Sequence, residues 1–181
     1  MLPDPLQLGK VDATKIFDYL YGFFYRDFVQ NKAYLNKDIY IDPKSRCKDD
    51  GKERCFWHVT TKETKKQVRE GNKWSWKVID RYIDYRRAER IEWIKLIIEN
   101  HNHDKVKCFY HKESTGKKPI RLYLWAYQDD FVVILQKLGR SSTFLVTSFY
   151  IDHEGKRRDY QKRFDVFSNN ECDELIQCHW F

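Results

Sequence analysis

The sequence predicts an α+β fold: N-terminal helices, then a four-stranded antiparallel sheet, then one C-terminal helix. Two observations support this prediction. Apolar residues recur at helical spacing up to about residue 100, and beyond residue 105 they alternate with a period of two. The segments that join the later apolar runs are short and rich in turn-forming residues, which favours consecutive antiparallel strands.

The first helix is expected from Asp12 to about Asn31, with Asp12 as its N-terminal cap. Its apolar stripe consists of Ile16, Leu20, Phe23, Phe24 and Phe28. A short strand is expected at residues 38–42, and residues 43–54 are expected to form a polar loop.

A short apolar run occupies residues 55–59, and Thr60 or Thr61 is suited to cap a short helix over the residues that follow. The next helix is expected from residue 80 to about residue 100. Within it, residues 91–98 are apolar enough to form a separate short helix.

Four strands are then expected, at residues 106–110, 120–127, 131–136 and 144–151. Residues 155–167 are expected to follow them as a basic helix. The 181 residues would form one domain over residues 1–168, with 12–54 as its helical N-terminal part, and an acidic tail over 169–181.

The chain is basic, with 34 Lys and Arg against 27 Asp and Glu. Residues 55–168 hold 24 of these basic residues and 15 of the acidic ones. Basic charge mixed with aromatic residues suits a polyanion such as nucleic acid, although a solvated basic surface explains the charge as well. Neither a membrane-spanning segment nor a signal peptide is expected, which predicts a cytoplasmic protein.

Metal and cofactor motifs are absent from the sequence. The five cysteines have irregular spacings, which favours reduced thiols over a zinc site. There is no glycine-rich phosphate loop and no serine-hydrolase elbow. The sequence therefore predicts no metal and no cofactor, and any chemistry is expected from His, Arg, Tyr, Thr and Lys side chains.

One face of the predicted sheet combines aromatic residues with arginine. Alternation over residues 120–127 places Arg121, Tyr123, Trp125 and Tyr127 on that face. If the face is open, these side chains would stack bases and hold phosphates. Alternatively, the aromatic side chains cover a second small core together with the N-terminal segment.

Basic residues surround one histidine and recur on a predicted helix. His58 precedes a basic cluster that includes Lys65, and it is either structural or a general base for a ribose 2′-hydroxyl. Arg87 and Arg90, next to Arg86, are three residues apart and share a helix face. They would either clamp a phosphate or form ion pairs within the helix.

The last predicted strand carries Thr147 and Tyr150. Ordinary strand composition explains both residues, but Thr147 is also in phase with inward-facing positions, namely Leu145, Phe149 and Ile151. The helix that follows is basic, and its Lys162 would contact a nucleic-acid backbone.

Five sequence blocks follow one another in a distinctive order, at residues 57–60, 85–93, 122–125, 132–135 and 145–150. The block Arg-Arg-x-Glu-Arg-Ile-x-Trp within residues 85–93 is the most specific of them. Together they resemble the phage-related branch of the barnase/EndoU/colicin/RelE-like nucleases, over residues 12–165. In the last block, Ser148 and Phe149 stand where that branch has a small residue directly before the tyrosine.

The resemblance implies a metal-independent ribonuclease, often a toxin in conflict between bacteria, phages or mobile elements. It also implies N-terminal helices and a four-stranded antiparallel sheet. By this resemblance, His58, Arg87, Arg90 and Thr147 occupy the motif positions of an active site. His58 would accept the 2′-hydroxyl proton, and the two arginines would hold the scissile phosphate.

The remaining expected roles concern proton donation and RNA binding. Thr147 would hydrogen-bond a phosphate oxygen, and either Tyr150 or Lys162 would protonate the leaving oxygen. RNA, with tRNA as one candidate, would be bound by Lys65, Arg86, Arg121, Tyr123, Trp125 and Lys162.

Two alternative functions belong to other classes. The chain would be a non-catalytic RNA- or DNA-binding module if its aromatic sheet face is open and no cleavage occurs. It would be an interaction protein if its acidic tail and aromatic surface bind another protein. A toxin would have both kinds of partner: RNA in a basic groove, and an antitoxin or immunity protein that covers this groove.

Overall fold

The computed structural model describes residues 2–44, 46–114 and 120–178. Its helices are α1 (Ile16–Phe24), α2 (Arg54–Thr60), α3 (Tyr85–Ala88), α4 (Ile91–Glu99), α5 (Glu154–Ser168) and α6 (Asp173–Ile176). A 3-10 turn, Leu8–Lys10, precedes α1, and a π-helical turn, Tyr25–Gln30, extends it. The strands are β1 (Tyr34–Leu35), β2 (Ile39–Asp42), β3 (Lys48–Asp49), β4 (Lys52–Glu53), β5 (Thr61–Glu70), β6 (Lys73–Ile83), β7 (Val106–Lys112), β8 (Ile120–Ala126), β9 (Phe131–Lys137) and β10 (Ser142–Tyr150).

The predicted α+β class is confirmed, and the main sheet has six strands rather than four. Its order is β1-β2-β10-β9-β8-β7, so the four predicted strands form the expected antiparallel meander. The additional strand β2 pairs with β10 in parallel, with Ile41 opposite Thr143. Sequence patterns did not predict this pairing because it joins segments that are about 100 residues apart in the chain.

Two hairpins replace segments that were expected to be helical or irregular. Residues 61–70 form β5 rather than a short helix, and they pair with β6 across the turn at Gly71 and Asn72. Gly71 has a φ of +60°, a left-handed conformation that glycine adopts without strain. Residues 43–54 contain the small β3–β4 hairpin, whose turn is formed by Asp50 and Gly51 at φ 50° and 73°.

The helix expected over residues 80–100 is divided. Strand β6 continues to Ile83, Asp84 caps α3 by accepting a hydrogen bond from the Arg87 amide, and α4 begins at Ile91. The first helix also begins later than expected, at Ile16. Asp12 accepts hydrogen bonds from the amide and hydroxyl of Thr14 in a local turn instead of capping that helix.

The main core lies between one face of the sheet and the N-terminal helices. Ile16, Leu20 and Phe24 of α1 are buried in it, as predicted for the first apolar stripe. The alternating strands contribute residues such as Leu124 and Val133. Helices α2 and α4 pack on the same face through the side chains of Phe56, Val59, Ile94, Ile97 and Ile98.

The second face of the sheet is covered, which corrects the prediction of an open aromatic surface. Tyr123 and Trp125 are each only 1% exposed, because α5 packs over them through Tyr160 and Phe164. A second core therefore exists, as the alternative expected, but its cover is the C-terminal helix and not the N-terminal segment. The sheet is the middle layer of three.

The described part of the acidic tail packs against the protein. Leu175 in α6 is buried, and Cys172 and Cys178 pack against the main core. Glu174 forms an ion pair of 2.7 Å with Lys112 on β7. Within the described residues, no helix has the length and apolar character needed to cross a membrane.

Candidate active site

A cleft of about 460 Å³ opens where α2, the base of the β5–β6 ribbon, α3 and β10 meet. Three of the residues that the sequence singled out as catalytic line it, together with Lys65 from the predicted RNA-binding set. The full lining is His58, Thr61, Lys62, Glu63, Lys65, Tyr82, Arg87 and Thr147.

The C-terminus of α2 explains why these segments converge. Because a helix leaves its last carbonyls without intrahelical partners, other groups must satisfy them. The carbonyl of His58 accepts a hydrogen bond of 2.7 Å from Nη1 of Arg87 and one of 3.3 Å from the hydroxyl of Thr147. The carbonyl of Thr60 accepts from the amide of Asp84 at 3.0 Å. The end of α2 is thus tied to both α3 and β10.

A β-bulge sets the position of Thr147 on β10. The pairing with β9 shifts between Leu145 and Thr147, so that Val146 is an extra residue. The phase predicted for this strand is therefore wrong: Leu145 and Tyr150 pack with the main core, whereas Phe149 packs with the second core. The bulge directs the hydroxyl of Thr147 to α2.

Helix α2 is also attached to β10 just before the bulge. The buried thiol of Cys55 donates a hydrogen bond of 3.1 Å to the carbonyl of Leu145. Burial raises the pKa of this thiol to about 12, so it stays protonated and keeps its donor. The hydrogen bonds from Cys55 and Thr147 thus attach the helix that carries His58 to β10 at two points.

The wall formed by the ribbon carries a carboxylate between two cations. Glu63 forms ion pairs with Lys65 at 3.2 Å and with Arg81 at 3.1 Å. Burial alone would raise the pKa of Glu63, but the hydrogen bonds from Lys65 and Arg81 lower it below its ordinary value. Glu63 is consequently ionised at neutral pH and anchors both cations.

The imidazole of His58 has an environment suited to a proton acceptor. Burial lowers its pKa below the ordinary 6.5, and the cations Arg54, Lys65 and Lys44 lower it further, while the charge of Glu63 opposes them. Among the described residues, no side-chain hydrogen bond engages the ring. The neutral imidazole therefore predominates at pH 7 with a free nitrogen lone pair.

Arg87 combines a structural bond with unused donor capacity. Its Nη1 atom is engaged by the His58 carbonyl, and its Nε atom lies 3.6 Å from the carboxylate of Asp84 without a hydrogen bond to any described residue. Burial lowers the pKa of Arg87, and Asp84 opposes this shift. The guanidinium of Arg87 is half-buried, so this cation is less hydrated than an arginine on the open surface.

Arg90 and Tyr150, which the sequence grouped with this site, lie outside the lining of the cleft. The Arg90 guanidinium carbon lies 4.8 Å from the ring centre of Tyr150 and 5.0 Å from that of Trp93. The guanidinium carbon of Arg86 lies 5.4 Å from the centre of the Tyr150 ring, so both arginines contact the same tyrosine. The break after α3 turns Arg90 away from Arg87, so the two arginines do not form the predicted pair on one helix face.

The other predicted RNA contacts lie on the opposite face of the sheet from the cleft. Lys162 is exposed on α5, and Arg121 is engaged with Gln136 and Glu113 at the edge of the second core. Tyr123 and Trp125 are buried beneath α5, and the hydroxyl of Tyr123 donates to Glu113.

Sequence reasoning missed Thr61, Lys62, Glu63 and Tyr82 as parts of the cleft. All four belong to the ribbon, which was expected to be partly helical. The signal that would have found it is the pair Gly71-Asn72 between two runs of similar length, a common two-residue hairpin turn. A hairpin there brings Tyr82 opposite Lys62 and closes the cleft wall.

No family model, curated protein or solved structure matches this chain. Within the described residues, no group of three or more His, Cys, Asp or Glu side chains is placed to hold a metal ion.

Proposed function

We propose that this protein is an endoribonuclease that cleaves RNA through attack of a ribose 2′-hydroxyl on the adjacent phosphodiester, without a metal ion. The observation that carries the proposal is the convergence of three separate segments on one cleft: His58 from α2, Arg87 from α3 and Thr147 from β10. General base, cation and hydroxyl donor are the groups that such a transesterification needs.

The proposed reaction starts with proton transfer to His58. The neutral imidazole takes the proton from the 2′-hydroxyl, and the 2′-oxygen forms a new bond to phosphorus. The bond between phosphorus and the 5′-oxygen breaks. The products are a 2′,3′-cyclic phosphate and a 5′-hydroxyl, so neither water nor an oxidant enters this step.

Charge that grows on the phosphate is offset by the cations of the cleft. Lys65 from β5 and Arg87 from α3 supply positive charge, and the Thr147 hydroxyl supplies a hydrogen-bond donor. Glu63 holds Lys65 at 3.2 Å and keeps the ammonium group in place.

The leaving 5′-oxygen needs a proton, and we assign this role to Tyr82. Tyr82 is one of the residues that line the cleft, whereas the donors expected from the sequence, Tyr150 and Lys162, lie elsewhere. Tyr82 is 50% exposed, so it can be reprotonated from solvent after each turnover.

The experiment that tests the proposal is RNA cleavage in the presence of EDTA. Purified protein is incubated with tRNA or total RNA, and the product ends are identified as 2′,3′-cyclic phosphate and 5′-hydroxyl. His58→Ala should lower the rate by about 10²–10⁴-fold. The matched control is His103→Ala, which changes an exposed histidine outside the cleft lining. Equal rates for wild type and His58→Ala would disprove the assignment of the base.

A second candidate function is a non-catalytic RNA-binding module. The buried sheet face no longer favours it, but the exposed basic β5–β6 ribbon does. RNA binding that depends on salt, with no product under any condition, would support this alternative. The toxin role, with an acidic antitoxin or immunity protein over the cleft, is part of the endoribonuclease proposal. Growth arrest on expression, relieved by a co-expressed neighbouring gene product, would test it.

A further inference from the structure

The β5–β6 ribbon exposes two tryptophans far from either core. Trp74 is 64% exposed and Trp76 is 66% exposed. Neither indole has a ring contact or a side-chain hydrogen bond among the described residues. Exposure of an indole ring to water is energetically unfavourable. A pair of exposed indoles on one strand therefore indicates a surface that is covered by a binding partner.

The strand register places both tryptophans on the ribbon face that leads to the cleft. Side chains alternate along β6, so Trp74, Trp76 and Val78 point to one side. Their cross-strand partners on β5 are Arg69, Gln67 and Lys65 respectively. Lys65 also lines the cleft, so a continuous strip of side chains runs from the candidate active site toward the ribbon tip.

The charge of the ribbon favours an anionic partner. Residues 61–83 contain seven Lys or Arg and three Asp or Glu. One of the cations, Arg69, faces Trp74 directly across the strands. Aromatic faces that alternate with cations bind a chain that carries both stackable rings and phosphates.

We infer that the strip formed by Lys65, Arg69, Trp74 and Trp76 binds unpaired nucleotides next to the phosphate that is cleaved. The substrate class is then RNA with a single-stranded segment beside the scissile bond. Trp74 and Trp76 stack on bases, and Lys65 and Arg69 contact phosphates. This inference rests on the proposed endoribonuclease function, since it assigns the substrate of the same cleft.

Unpaired RNA fits the strip better than duplex RNA. In a duplex the base faces are stacked on one another and an indole cannot reach them, whereas splayed bases expose both faces. Trp74 and Trp76 are two residues apart on an extended strand, about 6.8 Å along it, which gives each ring its own base.

The test measures the affinity for an RNA that cannot be cleaved. A 12-nucleotide single strand with 2′-O-methyl groups throughout lacks the attacking hydroxyl, and its binding is followed by fluorescence anisotropy. Trp74→Ala/Trp76→Ala should weaken this binding roughly 30-fold or more, as expected when two stacked bases are lost. Trp74→Phe/Trp76→Phe should retain most of the affinity, because a phenyl ring still stacks.

A control variant separates stacking from charge. Lys73→Gln/Lys77→Gln removes two cations from the opposite face of the ribbon, and should reduce affinity modestly and lower the salt dependence. The Trp74→Ala/Trp76→Ala variant should keep the salt dependence and lose affinity. A blunt-ended duplex of the same sequence should bind wild type and this variant equally.

Cleavage assays distinguish the two proposals. A dinucleoside monophosphate fills only the cleft, so Trp74→Ala/Trp76→Ala should cleave it at the wild-type rate while cleaving the longer single strand more slowly. If wild type and this variant bind the single strand with equal affinity, the proposed binding strip is wrong, even if wild type cleaves RNA. A tryptophan-dependent affinity, with no cleavage by wild type, would keep the strip and overturn the endoribonuclease function.

Discussion

The guanidinium of Arg87 donates a hydrogen bond of 2.7 Å to the main-chain carbonyl of His58. Through this bond a cation of the candidate active site fixes the backbone that carries the candidate base. The hydroxyl of Thr147 reaches the same carbonyl at 3.3 Å. The relative positions of all three groups are therefore set by one acceptor, at the end of α2.

This shared acceptor predicts coupled effects on stability. Arg87→Ala removes the shorter bond to a partly buried carbonyl and should lower the free energy of unfolding by about 1–3 kcal/mol. Thr147→Val removes the weaker bond and should cost about 0.5–1.5 kcal/mol. Urea denaturation of both single variants and of the double variant measures the coupling, which we expect to be at least about 0.5 kcal/mol. Strict additivity would show that the two donors act independently.

The pH dependence of cleavage should follow the protonation of His58. Because burial lowers its pKa and the base must be neutral, kcat/KM should rise with pH to a plateau, with its midpoint below 6.5. Glu63→Gln removes a charge that favours the imidazolium, so the midpoint should move to still lower pH. Lys65→Met removes an opposing charge and should move it upward. NMR titration of the ring gives the same order without relying on activity.

A tyrosine comparison tests the assigned proton donor. Tyr82→Phe should slow cleavage of a dinucleoside monophosphate about 10²-fold or more, because the leaving alkoxide is no longer protonated. The same variant should cleave a ribonucleoside 3′-(p-nitrophenyl phosphate) nearly as fast as wild type, since that leaving group needs no proton. Tyr150→Phe keeps the aromatic ring beside Arg90 and should be near wild type on both substrates. A large selective loss in Tyr150→Phe would restore it as the donor.

The tryptophan of the second core should behave as a structural residue. Trp125 is 1% exposed beneath α5, so Trp125→Ala should lower the free energy of unfolding by about 3–5 kcal/mol. Trp74→Ala at the exposed ribbon should change it by less than about 0.5 kcal/mol. Thermal and urea unfolding provide the comparison. A folded, stable Trp125→Ala protein with weakened RNA binding would contradict the burial of this face.

The sequence was sufficient to predict the strands whose apolar residues alternate and whose pairing partners are the neighbouring strands in the chain. The meander from Val106 to Tyr150 and the basic helix after it could be predicted because each contact is local or one hairpin away. The parallel pairing of β2 could not be predicted, because no local pattern specifies a partner that is about 100 residues away in the chain.

The candidate site was predicted in part for a similar reason. His58, Arg87 and Thr147 stand out by residue type, and the structure brings them into one cleft. Arg90 was separated from Arg87 by a helix break, and the bulge at Val146 changed the facing of β10. Trp125 is buried because α5 covers it, and the weak amphipathic pattern of that helix did not reveal which face of the sheet it would occupy.

The strand that completes the cleft is also the last of the sheet to be synthesised. Strand β10 must insert between β2 and β9 before Thr147 can reach His58, so closing the long intervening loop precedes any assembled site. When only the first hundred residues have emerged from the ribosome, the nascent chain contains His58 and Arg87 but not strand β10, which anchors them. Under the proposed activity, RNA cleavage would begin only after β10 has left the ribosome and has paired with β2 and β9.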